Sequence, residues 1–115
     1  MNDFGLTDKE LKRNQNLNKV NHQDALKKNH VQIHPQNTYE HEKRKWEECW
    51  KLRQLDKHFV TEARFKNLDG VRADIYVLDD DKMIEIETSS YELEERKKKY
   101  PENTEFILLE EEGEE

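Results

Sequence analysis

From residue 38 to about residue 55 the chain has no Gly or Pro, and Tyr39, Trp46, Cys49, Trp50 and Arg53 recur at spacings of three, four and seven. That period predicts an amphipathic helix with both indoles on one stripe, covering a sheet as part of the core. Pro35 disfavours helical geometry at His34, and Asn37 or Thr38 is placed to cap this helix. Three short segments come next, 58–65, 71–78 and 82–88, separated by turn-rich stretches at 66–70 and 79–81. They read as a three-stranded antiparallel meander. Ser89 and Glu92 have capping-box spacing, so 89–100 reads as a short helix stopped by Pro101. The nearly continuous apolar run at 104–109 is expected of a buried strand reached by a helical crossover.

Residues 1–37 lack a clean helical or strand period, although Thr7 and Glu10 have capping-box spacing before Leu11. The expected organisation is an N-terminal arm at 1–37, partly helical or flexible, a compact α/β domain at 38–109, and an acidic tail at 110–115. Large aliphatic residues and Phe make up 25 of 115 positions. That is just above the level of about 20% below which disorder is the better expectation, so a single small core is expected. No apolar run reaches the ~18 residues of a membrane span, and one cysteine cannot form an internal disulfide. The chain therefore reads as soluble and cytoplasmic, without a membrane partner. A net charge of -7 argues against coating nucleic acid non-specifically, while leaving a local site open.

Alternation along the three strands puts Phe59, Thr61, Ala63, Phe65, Val71, Ala73, Ile75, Val77, Ile84, Ile86 and Thr88 on one expected face. The other face carries Glu62, Arg64, Arg72, Asp74, Tyr76, Glu85 and Glu87. A first turn that leaves Phe65 opposite Val71 sets Glu62 across from Asp74. A second turn that leaves Leu78 opposite Met83 sets Asp74 across from Glu87 and Tyr76 across from Glu85. Cross-strand Cβ atoms lie about 4.5–5.5 Å apart, so four carboxylates converge on one patch. Such a patch is neutralised by Arg64 and Arg72, by proton uptake, or by a hard divalent cation. It also has a plain reading as the solvated outer face of an antiparallel sheet.

The order helix, three strands, helix, strand, with Asp74 on the second strand and Glu85, Ile86 and Glu87 on the third, resembles the PD-(D/E)xK nuclease superfamily of restriction enzymes, Holliday-junction resolvases and RecB-like nucleases. The resemblance spans about residues 38–109 and implies a restriction-endonuclease-like core. It implies a Mg²⁺- or Mn²⁺-dependent nuclease cutting DNA, structure-selective or weakly sequence-specific, with a homodimer possible. Asp74 and Glu85 match metal ligands, and Glu87 takes the place usually held by Lys, where it serves as third ligand or general base. Glu62 matches no family-wide position but points at the same patch, where it either supports the ligands from behind or is an additional ligand. Glu42, Glu47 or Glu48 could supply the acidic residue that some members carry on the first helix. Arg96 and Tyr100 have the spacing of a Gln and Tyr pair in RecB-like members. The missing Lys favours the alternative of a catalytically inactive nuclease-like module that binds nucleic acid or protein, unless Lys97 or Lys98 reaches in.

Arg96, Lys97, Lys98 and Lys99, with Arg72, are candidate phosphate contacts; Glu92, Glu94 and Glu95 on the same segment offer ion pairs instead. Cys49 reads as a small buried residue. His30 and His34 have i, i+4 spacing, but Pro35 spoils the geometry of a zinc site, and His41 reads as a surface residue able to approach the acidic patch. Asp79, Asp80 and Asp81 lack calcium-loop spacing and read as a charged hairpin turn.

Overall fold

The structure, a computed structural model, describes residues 5–109. The expected acidic tail at 110–115 lies outside them. The chain is a mixed α/β fold with α1 at Asp8–Leu17, α2 at His22–Ala25, α3 at Tyr39–Gln54, β1 at Phe59–Phe65, β2 at Leu68–Val77, β3 at Lys82–Glu87, α4 at Leu93–Lys97 and β4 at Glu105–Leu108. The sheet order is β1-β2-β3-β4, with the first two pairings antiparallel and the last parallel. No helix among the described residues is long and apolar enough to cross a membrane.

The caps explain where the longer helices begin. Thr7 Oγ1 accepts the Glu10 N–H at 3.1 Å while Glu10 Oε1 accepts the Thr7 N–H at 3.0 Å, completing the box that the spacing predicts. Thr38 Oγ1 accepts the His41 N–H at 3.1 Å and starts α3. The capping box expected at Ser89 and Glu92 does not form. Ser89 Oγ takes the Tyr91 N–H at 2.9 Å in a local turn, Glu92 stands at φ 52, and α4 shrinks to five residues.

Two apolar clusters hold the sheet, which corrects the expectation of a single apolar face: Ala63, Val71 and Ala73, expected beside Ile75 and Val77, gather with Tyr76 instead. Cys49 and Leu52 of α3 pack on Phe59, Ile75, Val77, Ile84 and Ile86. Val20 packs on Val60, Ala63, Val71, Ala73, Tyr76, Leu78 and Met83, with Leu17 and Ala25 beside it. The second cluster forms where the N-terminal segment docks on the sheet. Asn16 Nδ2 donates to the Leu78 carbonyl at 2.7 Å, the Asn21 N–H donates to the Arg64 carbonyl at 2.8 Å, and Arg13 pairs with Asp79 at 3.0 Å. Asp24 takes the Arg64 backbone N–H at 2.9 Å and its guanidinium at 3.0 Å. Burial alone raises the Asp24 pKa, and the Arg64 bonds outweigh it and lower it. Tyr76, expected among the charges, is buried, with the Phe65 ring edge-on at 4.9 Å.

The first hairpin keeps the expected register along its strands, with Glu62 level with Asp74, and departs from it only beside the turn, whereas the second hairpin is displaced throughout. Phe65 pairs with Leu68 across a two-residue turn, not with Val71, and the shift between Arg64 and Phe65 absorbs the difference. Upstream, Thr61 pairs with Ile75 and Ala63 with Ala73, so Glu62 and Asp74 share the level between. In the second hairpin Val77 pairs with Lys82 and Tyr76 with Met83. Asp74 therefore comes level with Glu85 instead of Glu87. The four-residue turn 78–81 sets this slip, braced by Tyr76 Oη donating to Asp81 Oδ1 and by the Lys19–Asp81 ion pair at 2.9 Å. The final strand, expected to be buried, is an edge strand with half-buried residues.

Candidate functional site

The β2–β3 ladder runs from Val77 and Lys82 to Ile75 and Ile84, and at the next level two carboxylates take over from backbone pairing. Glu85 Oε2 accepts the Asp74 N–H at 2.9 Å, and Asp74 Oδ2 accepts the Ile86 N–H at 2.8 Å. Each carboxylate is thereby pinned to the backbone of the opposite strand. Tyr100 Oη donates to Glu85 Oε1 at 3.3 Å, and Arg96 Nη2 meets Glu87 Oε1 at 2.7 Å. An open cleft of about 760 Å³ lies over these groups, lined by His41, Arg72, Asp74, Glu85, Glu87 and Tyr100 among others.

Glu85 is almost wholly buried beside a second carboxylate. Burial first and the Asp74 charge next push its pKa up to about 9, against the Asp74 N–H bond, so the pair keeps a proton near neutrality. Burial and the neighbouring Glu85 carboxylate likewise raise the Tyr100 phenol.

A second set of charges runs from this pair into α3. His41 Nε2 lies 3.2 Å from Asp74 Oδ2, and its Nδ1 lies 3.0 Å from Glu42 Oε2. Burial alone lowers the His41 pKa, but hydrogen bonds and charges of Asp74 and Glu42 outweigh it and hold the ring above its usual value. Lys45, with no exposed side-chain surface, places Nζ 2.6 Å from Glu42 Oε1 and 2.8 Å from Glu62 Oε2. Arg72 Nε reaches Glu62 Oε1 at 3.2 Å, within ion-pair distance but not aligned as a hydrogen bond. Burial of His41 corrects its expected place at the surface, and Lys45 is a member of the network that the strand pattern does not point to. The spacing of His41, Lys45, Cys49 and Leu52 along one inward helical stripe is the signal that finds them. Of the three acidic candidates on this helix, Glu42 is the one that joins the network.

The expected site residues divide. Asp74, Glu85 and Glu87 line one cleft with Arg72, whereas Glu62 is drawn aside to Lys45. Arg96 turns back onto Glu87. Lys97 and Lys98 pair with Glu94 and Glu95 of their own segment at 3.4 and 3.2 Å, and Lys97 Nζ sits 5.5 Å over the Phe106 ring. Lys98 and Lys99 lie in the turn after α4, and none of Lys97, Lys98 and Lys99 lines the cleft. Trp46 and Trp50, expected in the core, are about half exposed and stack on each other at 5.6 Å. The stripe with the small Cys49 faces the sheet instead. Cys49 is buried as expected, and burial pushes its thiol up to about 12.

Among the described residues no group of three or more His, Cys, Asp and Glu stands as a complete ligand set. The oxygen donors of Asp74 and Glu85 nonetheless suit a hard cation, since Mg²⁺ commonly takes one or two carboxylates and keeps several waters. Comparison with family models, curated proteins and solved structures finds no match to this chain.

Proposed function

We propose that the cleft is the active site of a divalent-metal-dependent nuclease acting on DNA, with Asp74 and Glu85 as the carboxylates that hold Mg²⁺ or Mn²⁺. The observation that carries this reading is the reciprocal clasp of Asp74 and Glu85, which keeps two carboxylates adjacent at the cost of a raised Glu85 pKa. A bound dication supplies the charge that polarises a phosphodiester and acidifies water. The chain's own groups do the rest. Tyr100 orients Glu85 and Arg96 orients Glu87, while Arg72, with a half-exposed side chain at the cleft, meets phosphate. Glu87 is third ligand or base.

The test is cleavage of supercoiled, single-stranded and branched DNA in Mg²⁺ or Mn²⁺ by the wild type, Asp74→Ala and Glu87→Ala. Metal-dependent cutting lost in both variants supports the reading. No cutting of any substrate, with a melting temperature that neither metal moves, removes it.

One observation favours a second reading, a nuclease-like module that binds nucleic acid or protein without catalysis. Glu87 stands where a Lys is expected and is already paired to Arg96, while Lys45 is committed to two glutamates. DNA binding without cleavage, weakened by Arg72→Ala, distinguishes this case.

A further inference from the structure

On α3, away from the residues that face the sheet, Tyr39, Trp46 and Trp50 are 74%, 52% and 55% exposed, and Ile33 beside them is 78% exposed. The two indoles lie nearly parallel, 13° apart, as a preformed platform. Val31, Ile33, Tyr39, Lys43, Trp46 and Glu47 border a groove of about 510 Å³, and Trp50 stands one helical turn beyond it.

We propose that this surface is the interface of a homodimer in which α3 packs antiparallel on α3 of a second copy across a two-fold axis near Trp46 and Glu47. Aromatic side chains present about 150–250 Å² each, so at these exposures the three rings and Ile33 offer roughly 500 Å² of apolar surface. A standard interface takes about 800 Å² from each partner, a little over half of it apolar, so the patch matches in size and character. Charge selects the occupant and its direction. The first turn of α3 carries the exposed Glu40 and the last carries Lys51 and Arg53, so an antiparallel copy sets each acidic end against a basic one. With the axis there, Glu40 comes level with the partner's Arg53, and the partner's Trp50 comes level with Lys43, over the groove. A rim of both signs suits a second copy better than a phosphate backbone.

The test is sedimentation equilibrium of the full chain over a concentration series. The wild type is expected to reach twice the chain mass, and Trp50→Glu to weaken dimerisation by about a thousandfold, the roughly thirtyfold factor of a hot-spot aromatic counted once for each copy. Glu40→Arg and Arg53→Glu each weaken it, and together restore it. Far-UV circular dichroism checks that the variants keep the fold. A monomer at every concentration, or a dimer indifferent to Trp50→Glu, overturns the proposal. A dimer lost in Trp50→Glu but not rescued by the double charge exchange overturns the antiparallel arrangement. A monomer whose tryptophan emission is quenched by single-stranded oligonucleotide assigns the platform to nucleic acid instead.

Discussion

Lys45→Met is the sharpest probe of how this small core tolerates charge. The substitution keeps the length of the side chain and removes an ammonium with no exposed surface, leaving Glu42 Oε1 and Glu62 Oε2 without their contacts at 2.6 and 2.8 Å. Burial alone pulls the Lys45 pKa down, and the two carboxylates outweigh it and raise it, so the lysine is a true cation in the fold. Stranding one side of a buried ion pair costs about 3–5 kcal/mol. The low end applies here. Glu42 keeps Asn37 Nδ2 at 2.6 Å and His41 at 3.0 Å, and Glu62 keeps Arg72 at 3.2 Å. At about 2.1 cal/mol/K of unfolding entropy per residue, ~3 kcal/mol in a chain of 115 residues lowers the melting temperature by about 12 °C. Thermal and urea unfolding of the wild type, Lys45→Met, and Lys45→Met combined with Glu42→Gln and Glu62→Gln measures it. The neutralised triple variant should recover most of the loss, because the cost lies in unpaired carboxylates and not in missing volume. A Lys45→Met protein within about 1 kcal/mol of wild type, the worth of a surface pair, would refute the reasoning, as would a triple variant no more stable than the single one.

Three further outcomes are expected. Glu85 keeps its proton in the folded chain up to about pH 9, while its ordinary value is 4.5, so the stability it contributes is full below pH 4.5 and is lost as pH rises toward 9. Glu85→Gln does not titrate and should gain on the metal-free wild type by up to roughly 1.4 kcal/mol per pH unit across that window. Urea unfolding in chelator at pH 5 and pH 8 reads the gap, and a gap that does not widen at pH 8 contradicts the raised pKa. Cys49, buried and with its thiol pushed up to about 12, should resist a thiol-specific reagent in the native protein at pH 8 and react at once in denaturant. Rapid native labelling would show that α3 lifts from the sheet. Val20→Ala, at a position 1% exposed, should cost about 2 kcal/mol by urea unfolding; an unchanged midpoint would mean that the docked arm adds nothing to the second cluster.

Much of the local structure is legible in the chain itself. The Thr7 and Glu10 box, the start of α3 at Thr38, and the three antiparallel strands arise from caps and periodicity, which act over a few neighbouring residues. Asp74, Glu85 and Glu87 are likewise readable as companions, because alternation along adjacent strands brings carboxylates together under more than one register. Their contacts are not readable. A slip of two residues keeps every side chain on its face, so nothing in the alternation separates Glu85 from Glu87 as the neighbour of Asp74. That choice belongs to the 78–81 turn, braced by Lys19 from a segment 62 residues away.

The α/β class, the approximate positions of the elements and the clustering of acidic residues depend on short-range period and spacing, so the order of amino acids suffices to set them. Which stripe of α3 faces inward is a matter of long-range packing. Hydrophobicity favours burying Trp46 and Trp50, yet the stripe of His41, Lys45, Cys49 and Leu52 lies against the sheet. Its small Cys49 permits close approach, and its His41 and Lys45 meet Asp74, Glu42 and Glu62, which satisfies carboxylates that would otherwise be stranded. That balance weighs partners far apart in the chain, so no local pattern contains it.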